Sequence, residues 1–94
     1  MRIVWRRQAL ADLAALQAYI AKDDPQPAKR IAQRSVGAVE RLASLASIGR
    51  PGRVEGTREL VVVRTPYIVP YRLKGDEAQI LRVYHAARRW PRHL

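Results

Sequence analysis

Residues 80–90, ILRVYHAARRW, place an imidazole, a phenol, an indole and three guanidinium groups in one short run. Arg72 stands in the preceding apolar run, and Glu55 and Glu59 are the nearest carboxylates upstream of Arg72. Such a set can cleave RNA without a metal, by attack of a ribose 2′-hydroxyl on the adjacent phosphate. The reaction needs a base for the hydroxyl, cations for the crowded phosphate and an acid for the leaving oxygen. An imidazole such as that of His85 suits either proton-transfer role, because its ordinary pKa lies near neutrality. Arg72 and Arg82 can clamp a phosphate through paired N–H donors. Tyr84 can stack on a base or donate a proton, and Glu59 can act as the base. The same residues also fit a binding surface with no chemistry, in which Arg58, Arg72, Arg82, Arg88, Arg89 and Trp90 hold an anionic target. A histidine at a strand end, or a tyrosine beside it, also fits a purely structural role.

Composition narrows the field. The chain has 94 residues, enough for a single domain, 1–94, with a modest core. It has no cysteine and two histidines, His85 and His93, so neither a disulfide nor a metal site is expected, and no cofactor motif is visible. The loop 48–57, IGRPGRVEGT, lacks the spacing of a phosphate-binding P-loop. No serine–histidine–acid arrangement supports an esterase or protease. No apolar stretch is long enough to cross a bilayer, and residues 1–10 lack the apolar run of a signal peptide, so the cytoplasm is the expected location. Eighteen basic residues against eight acidic ones give a net charge of +10, and fifteen of the eighteen are arginine. That charge calls for an anionic partner: nucleic acid, a nucleoprotein or an acidic protein.

The elements that must position these groups follow from periodicity. RIVWR (2–6) reads as a strand. Leu10, Leu13, Leu16 and Ile20 recur at helical spacing, giving a helix over about 8–22, with Asp12 expected in its first turn. DDPQP (23–27) stops that helix and starts another, with an aspartate cap and a proline in the first turn. The second helix carries an apolar stripe from Ala28 to Ala46 and is expected to end at Gly49. A short link makes the two helices an antiparallel hairpin. RELVVV (58–63), YIVPYRL (67–73) and AQILRVYH (78–85) then read as an antiparallel meander, the last two runs joined by a turn at Lys74-Gly75-Asp76. Pro70 inside a strand marks either an edge or a bulge. The fold class is therefore α+β: an antiparallel sheet, in the order strand-helix-helix-strand-strand-strand, with the helical hairpin packed on one face.

Alternation assigns the faces. Val69, Tyr71 and Leu73 should meet the helices, together with Leu81, Val83 and His85. Arg72, Ile80, Arg82 and Tyr84 should look out from the open face, with Arg58 near them. A bulge would reverse everything beyond it.

The order and spacing of these elements resemble the RelE/ParE superfamily of bacterial toxins from type II toxin–antitoxin systems. ALADLAALQAYIAKDDPQPAKR (9–30) resembles the family's helical hairpin. GRPGRVEGTREL (49–60) resembles its loop into the second strand, and YIVPYR (67–72) with residues 80–90 its last strands and tail. The resemblance spans nearly the whole chain. It implies an acidic cognate antitoxin whose C-terminal segment wraps the toxin, with Leu10, Leu13, Tyr19, Arg30, Arg34 and Arg41 as contacts. It also implies one of two activities. ParE-like members inhibit DNA gyrase, and the His85-AARR tail matches that branch. RelE-like members cut mRNA on the ribosome, for which His85, Arg72, Tyr84, Arg82 and Glu59 would be the catalytic groups. The loop here holds Arg50, Arg53 and Arg58 where the RelE branch is rich in lysine. The expectation is ParE-like inhibition of gyrase, with the ribosome-dependent nuclease as the alternative. A non-toxic nucleic-acid-binding module is the third reading.

Overall fold

The computed structural model describes residues 1–94. Two helices pack on one face of a six-stranded sheet, as expected for the α+β class. The first strand, β1 (Arg2–Trp5), leads into α1 (Arg7–Ala21) and α2 (Pro25–Glu40). Asp24 caps α2 by accepting the Gln26 N–H at 3.1 Å, and Pro25 fills the first helical position, where a missing N–H costs nothing. The helix ends earlier than its apolar stripe suggests. It tightens into a 3₁₀ turn at Arg41–Ala43, so Ala46 and Gly49 lie in the loop beyond.

That loop is held from below by Tyr71. Its hydroxyl donates to the Ala46 carbonyl at 2.8 Å and accepts the Gly49 N–H at 2.9 Å. A Cβ on Gly49 would stand 2.5 Å from the Tyr71 ring and hydroxyl, so only glycine allows this approach. The short strand β2 (Arg50–Pro51) follows, then β3 (Arg58–Val61), β4 (Tyr67–Lys74), β5 (Glu77–Ile80) and β6 (Tyr84–His85). Gly75, with φ of 59°, makes the two-residue turn between β4 and β5.

The sheet order is β1-β5-β4-β3-β2, with β6 continuing along β4. The meander is antiparallel as expected, but β1 enters parallel to β5, from Arg2 opposite Glu77 to Trp5 opposite Ile80. The sheet is therefore mixed. The helical crossover returns the chain to the far edge, and a parallel neighbour needs such a long connection.

Pro70 sits in the central strand and answers to a bulge. Tyr71 pairs with Ile80, but Ile68 pairs with Tyr84, so residues 69–70 face residues 81–83. Leu81 donates to the Pro70 carbonyl at 3.0 Å, and proline has no N–H to return on that side. The ladder breaks there, and one extra residue is accommodated in the partner strand. The expected single strand 78–85 is thus β5 and β6 with a bulge between them.

The bulge corrects the assignment of faces. Ile80 pairs with Tyr71 and is fully buried in the core with Val69, Val39 and Leu42, not on the open face. Tyr84 pairs with Ile68 on the other side. Arg58 pairs with Tyr71 and so shares the helix side. Its guanidinium donates to the Gly49 carbonyl at 2.8 Å, clasping the loop rather than joining the open face. No helix is long and apolar enough to cross a membrane.

Candidate functional site

The face opposite the helices is covered. Glu59, Ile68, Pro70 and Tyr84 all point away from the helices, yet all are buried. Residues 86–94 fold back over them. Trp90 meets Tyr84 edge to face, with ring centres 5.1 Å apart, and Arg53 from the 50–57 loop stacks on Trp90 at 4.2 Å. Arg88 and Arg82 stack on Tyr84 at 4.3 and 4.7 Å. Arg72 reaches the Leu94 carbonyl at 3.5 Å. Arg53, Arg82 and Arg88 thus hold the segment down against two rings, each stack using the negative face of an aromatic ring.

Arg82 is not a free cation. Asp12 accepts its Nε at 2.7 Å and its Nη2 at 2.9 Å, and also takes the Val83 N–H at 3.0 Å. This hydrogen-bonded carboxylate pushes the Arg82 pKa further above its ordinary value. Asp12 lies in the second turn of α1, so it serves this clamp and not the helix dipole. The clamp seats the bulge against α1 and leaves Arg82 closer to neutral as a pair than an open arginine would be.

Glu59 is equally committed. Its side chain is 1% exposed; it accepts from Arg50 at 3.1 Å and from the Arg53 N–H at 2.7 Å, with the Arg53 guanidinium at 3.6 Å. A carboxylate so enclosed acts as an anchor for the 50–57 loop. Its place beside Pro70 puts it under the covered face.

His85 stands apart. Neighbouring residues of a strand point to opposite faces, so His85 is on the helix side while Tyr84 is not. It is exposed, packs edge-on against Tyr67 at 5.5 Å, and its Nδ1 accepts the Ala87 N–H at 3.1 Å. That hydrogen bond leaves the proton of the neutral ring on Nε2. Of the five groups read as a nuclease set, Arg72, Tyr84 and Glu59 lie on the covered face, Arg82 is clamped to Asp12 beside it, and His85 faces away.

The residues read as target contacts divide. Arg88 and Arg89 are exposed, Trp90 is half-buried, and Arg58 is a loop clasp. Arg82, Tyr84, Arg88, Arg89, Trp90 and His93 line a cleft of about 500 Å³ that also touches Gln8 of α1.

The residues read as antitoxin contacts also divide. Leu10 and Tyr19 are exposed but nine positions apart, about half a turn around α1. Leu13 packs on the core. Tyr19 stands near Tyr67, whose pKa is raised by burial and then by the neighbouring Tyr19 hydroxyl. Arg30 lines a shallow surface at the start of α2. Arg34 and Arg41 flank a groove of about 310 Å³, shared with Ala38 and residues 60–64. There β3 is an open edge. Val62 donates to the Tyr67 carbonyl, so the N–H and C=O groups of Val61 point away from β4, beyond the reach of the two-residue β2. Val63 is 67% exposed. Sequence reasoning missed this edge, although Val61, Val62 and Val63 form an apolar run with no polar residue to match an exposed flank.

Comparison with known proteins agrees with the architecture. A family model described as the ParE toxin of the type II toxin–antitoxin system parDE matches residues 3–90. The putative toxin Y4kP of Sinorhizobium fredii is 48% identical over 93 residues, covering 99% of this chain and 96% of the relative. The toxin RelE2 of Caulobacter vibrioides is 40% identical over 87 residues, covering 93% and 97%. A solved chain from the chromosomal ParDE toxin–antitoxin system of P. aeruginosa superposes with a TM-score of 0.82 at 39% identity, covering 90% of this chain and 95% of that one. By sequence along nearly its whole length and by fold, the chain belongs to the ParE toxin family of type II toxin–antitoxin systems.

Proposed function

We propose that this toxin arrests growth by binding DNA gyrase through the basic surface of residues 86–94, and that an acidic cognate antitoxin in the cytoplasm neutralises it. The observation that carries the reading is the dispersal of the groups a nuclease would need. Tyr84 is buried under the segment 86–94, Glu59 is enclosed by Arg50 and Arg53 of the 50–57 loop, and His85 faces the other side of the sheet. Arg88 and Arg89 remain exposed beside Trp90, which suits contact rather than catalysis. The open edge of β3, with arginines on either side, suits an acidic antitoxin segment that adds as a strand.

The test is pulse-labelling of DNA and protein synthesis in the minutes after induction without antitoxin. DNA synthesis should fall first, and His85→Ala should poison cells as well as the parent. Early loss of protein synthesis, together with loss of toxicity in His85→Ala, would move the reading to the ribosome-dependent nuclease.

A further inference from the structure

The cleft between the start of α1 and residues 88–94 has the lining of an anion site. We infer that it grips backbone phosphates of DNA, an inference that rests on the reading of this face as the gyrase-directed surface and gives that surface a ligand. Arg88 and Arg89 project from its wall with His93 beside them, and no carboxylate side chain lines it. Asp12, which pairs with the lining residue Arg82, is held by that clamp. Trp90 forms another wall, and its Nε1–H is buried with no acceptor anywhere in the protein. Buried donors are nearly always satisfied, so the unpaired indole N–H of a residue that lines a basic cleft points to an acceptor from outside. Arg6 at the N-cap and Arg7 in the first turn of α1 immediately precede Gln8, which lines the cleft, and no side chain caps this helix start. Cations there are unfavourable unless an anion joins them. The lining therefore offers donors and positive charge from several elements, and a phosphate oxygen is the group that fits. The Tyr84 ring is already stacked upon by arginines, so the site should read backbone rather than base.

The test is fluorescence anisotropy of a short labelled DNA duplex with the free toxin, repeated over a salt series. The parent should bind with affinity that falls steeply with salt. Arg88→Ala with Arg89→Ala should weaken binding about tenfold or more and reduce the salt slope by about 2, one unit for each phosphate that is no longer neutralised. Lys22→Ala with Lys29→Ala removes the same charge from the helical hairpin, away from the cleft, and should change affinity less than about twofold. Trp90→Phe keeps a ring for Arg53 and Tyr84 but removes the N–H, and should weaken binding several-fold while the fold persists. Equal losses from the lysine and arginine pairs would mean diffuse charge attraction and would overturn the site. So would no binding, an unaffected Trp90→Phe variant, or an RNA duplex bound more tightly than the DNA. Failure here with early arrest of DNA synthesis in cells would leave gyrase inhibition standing without this ligand. DNA binding through these residues with early arrest of protein synthesis would do the reverse.

Discussion

Asp12→Ala tests the joint on which the candidate site is built. The substitution removes two hydrogen bonds from the Arg82 guanidinium and one from the Val83 N–H. The side chains of Arg82 and Asp12 are 21% and 14% exposed, so water screens the pair only in part. Bonds to a charged group contribute about 1.5–3 kcal/mol each in such settings, but they are not additive, and the freed arginine regains some hydration. The net loss should be about 2–4 kcal/mol. A domain of this length has roughly 5–14 kcal/mol in total. In urea, with a slope of about 1 kcal/mol/M, the midpoint should fall by about 2 M or more with little change in slope. Arg82→Ala and the double variant complete a cycle, whose coupling energy should be about 1–3 kcal/mol. Asp12→Asn keeps an acceptor for Val83 and should lose less than alanine does. A coupling energy below about 0.5 kcal/mol would refute the clamp, because it would mean that the two side chains act independently.

Other perturbations probe neighbouring claims. Gly49→Ala forces a methyl into the Tyr71 ring and should cost about 1–3 kcal/mol by thermal or urea melting. Glu59→Gln keeps the shape but not the charge between Arg50 and Arg53, and should lower stability by about 1–3 kcal/mol; toxicity lost with unchanged stability would instead mark Glu59 as a catalytic base. Tyr67 has its pKa raised in the folded state, so its contribution is present below its unfolded pKa of about 10 and is lost as pH rises through the higher folded value. Tyr67→Phe should therefore flatten the alkaline fall in urea midpoint. Val61→Pro disturbs the open edge without removing a hydrogen bond to β4. It should weaken antitoxin binding, read by calorimetry, while leaving toxicity intact; unchanged affinity would move the antitoxin elsewhere.

Much of the architecture was legible in the sequence because it depends on local rules. Helical spacing gave α1, and Asp24 with Pro25 gave the start of α2, since a cap and a fixed φ act within one turn. Gly75 marked the β4–β5 turn for the same reason. The net charge of +10 pointed to an anionic partner without reference to any contact. The order of elements also carried the family resemblance, which the comparisons bear out.

Tertiary structure decided where those residues stand. Pro70 flagged a break, but alternation is counted along one strand, and the bulge exists only in the pairing of β4 with its neighbour. That pairing put Ile80 in the core, and the pairing of β3 with β4 put Arg58 with Tyr71. Asp12 and Arg82 are 70 residues apart, and nothing local links them. Residues 86–94 have no period from which to read a position. Contacts with Arg53 and Tyr84 bring them onto the sheet, and these contacts bury Tyr84, one of the groups that looked reactive. The sequence thus determined which side chains are available, because type and charge need no neighbours. Exposure, pairing and shared location come from contacts between distant segments, so only the folded chain shows which of these side chains stand together.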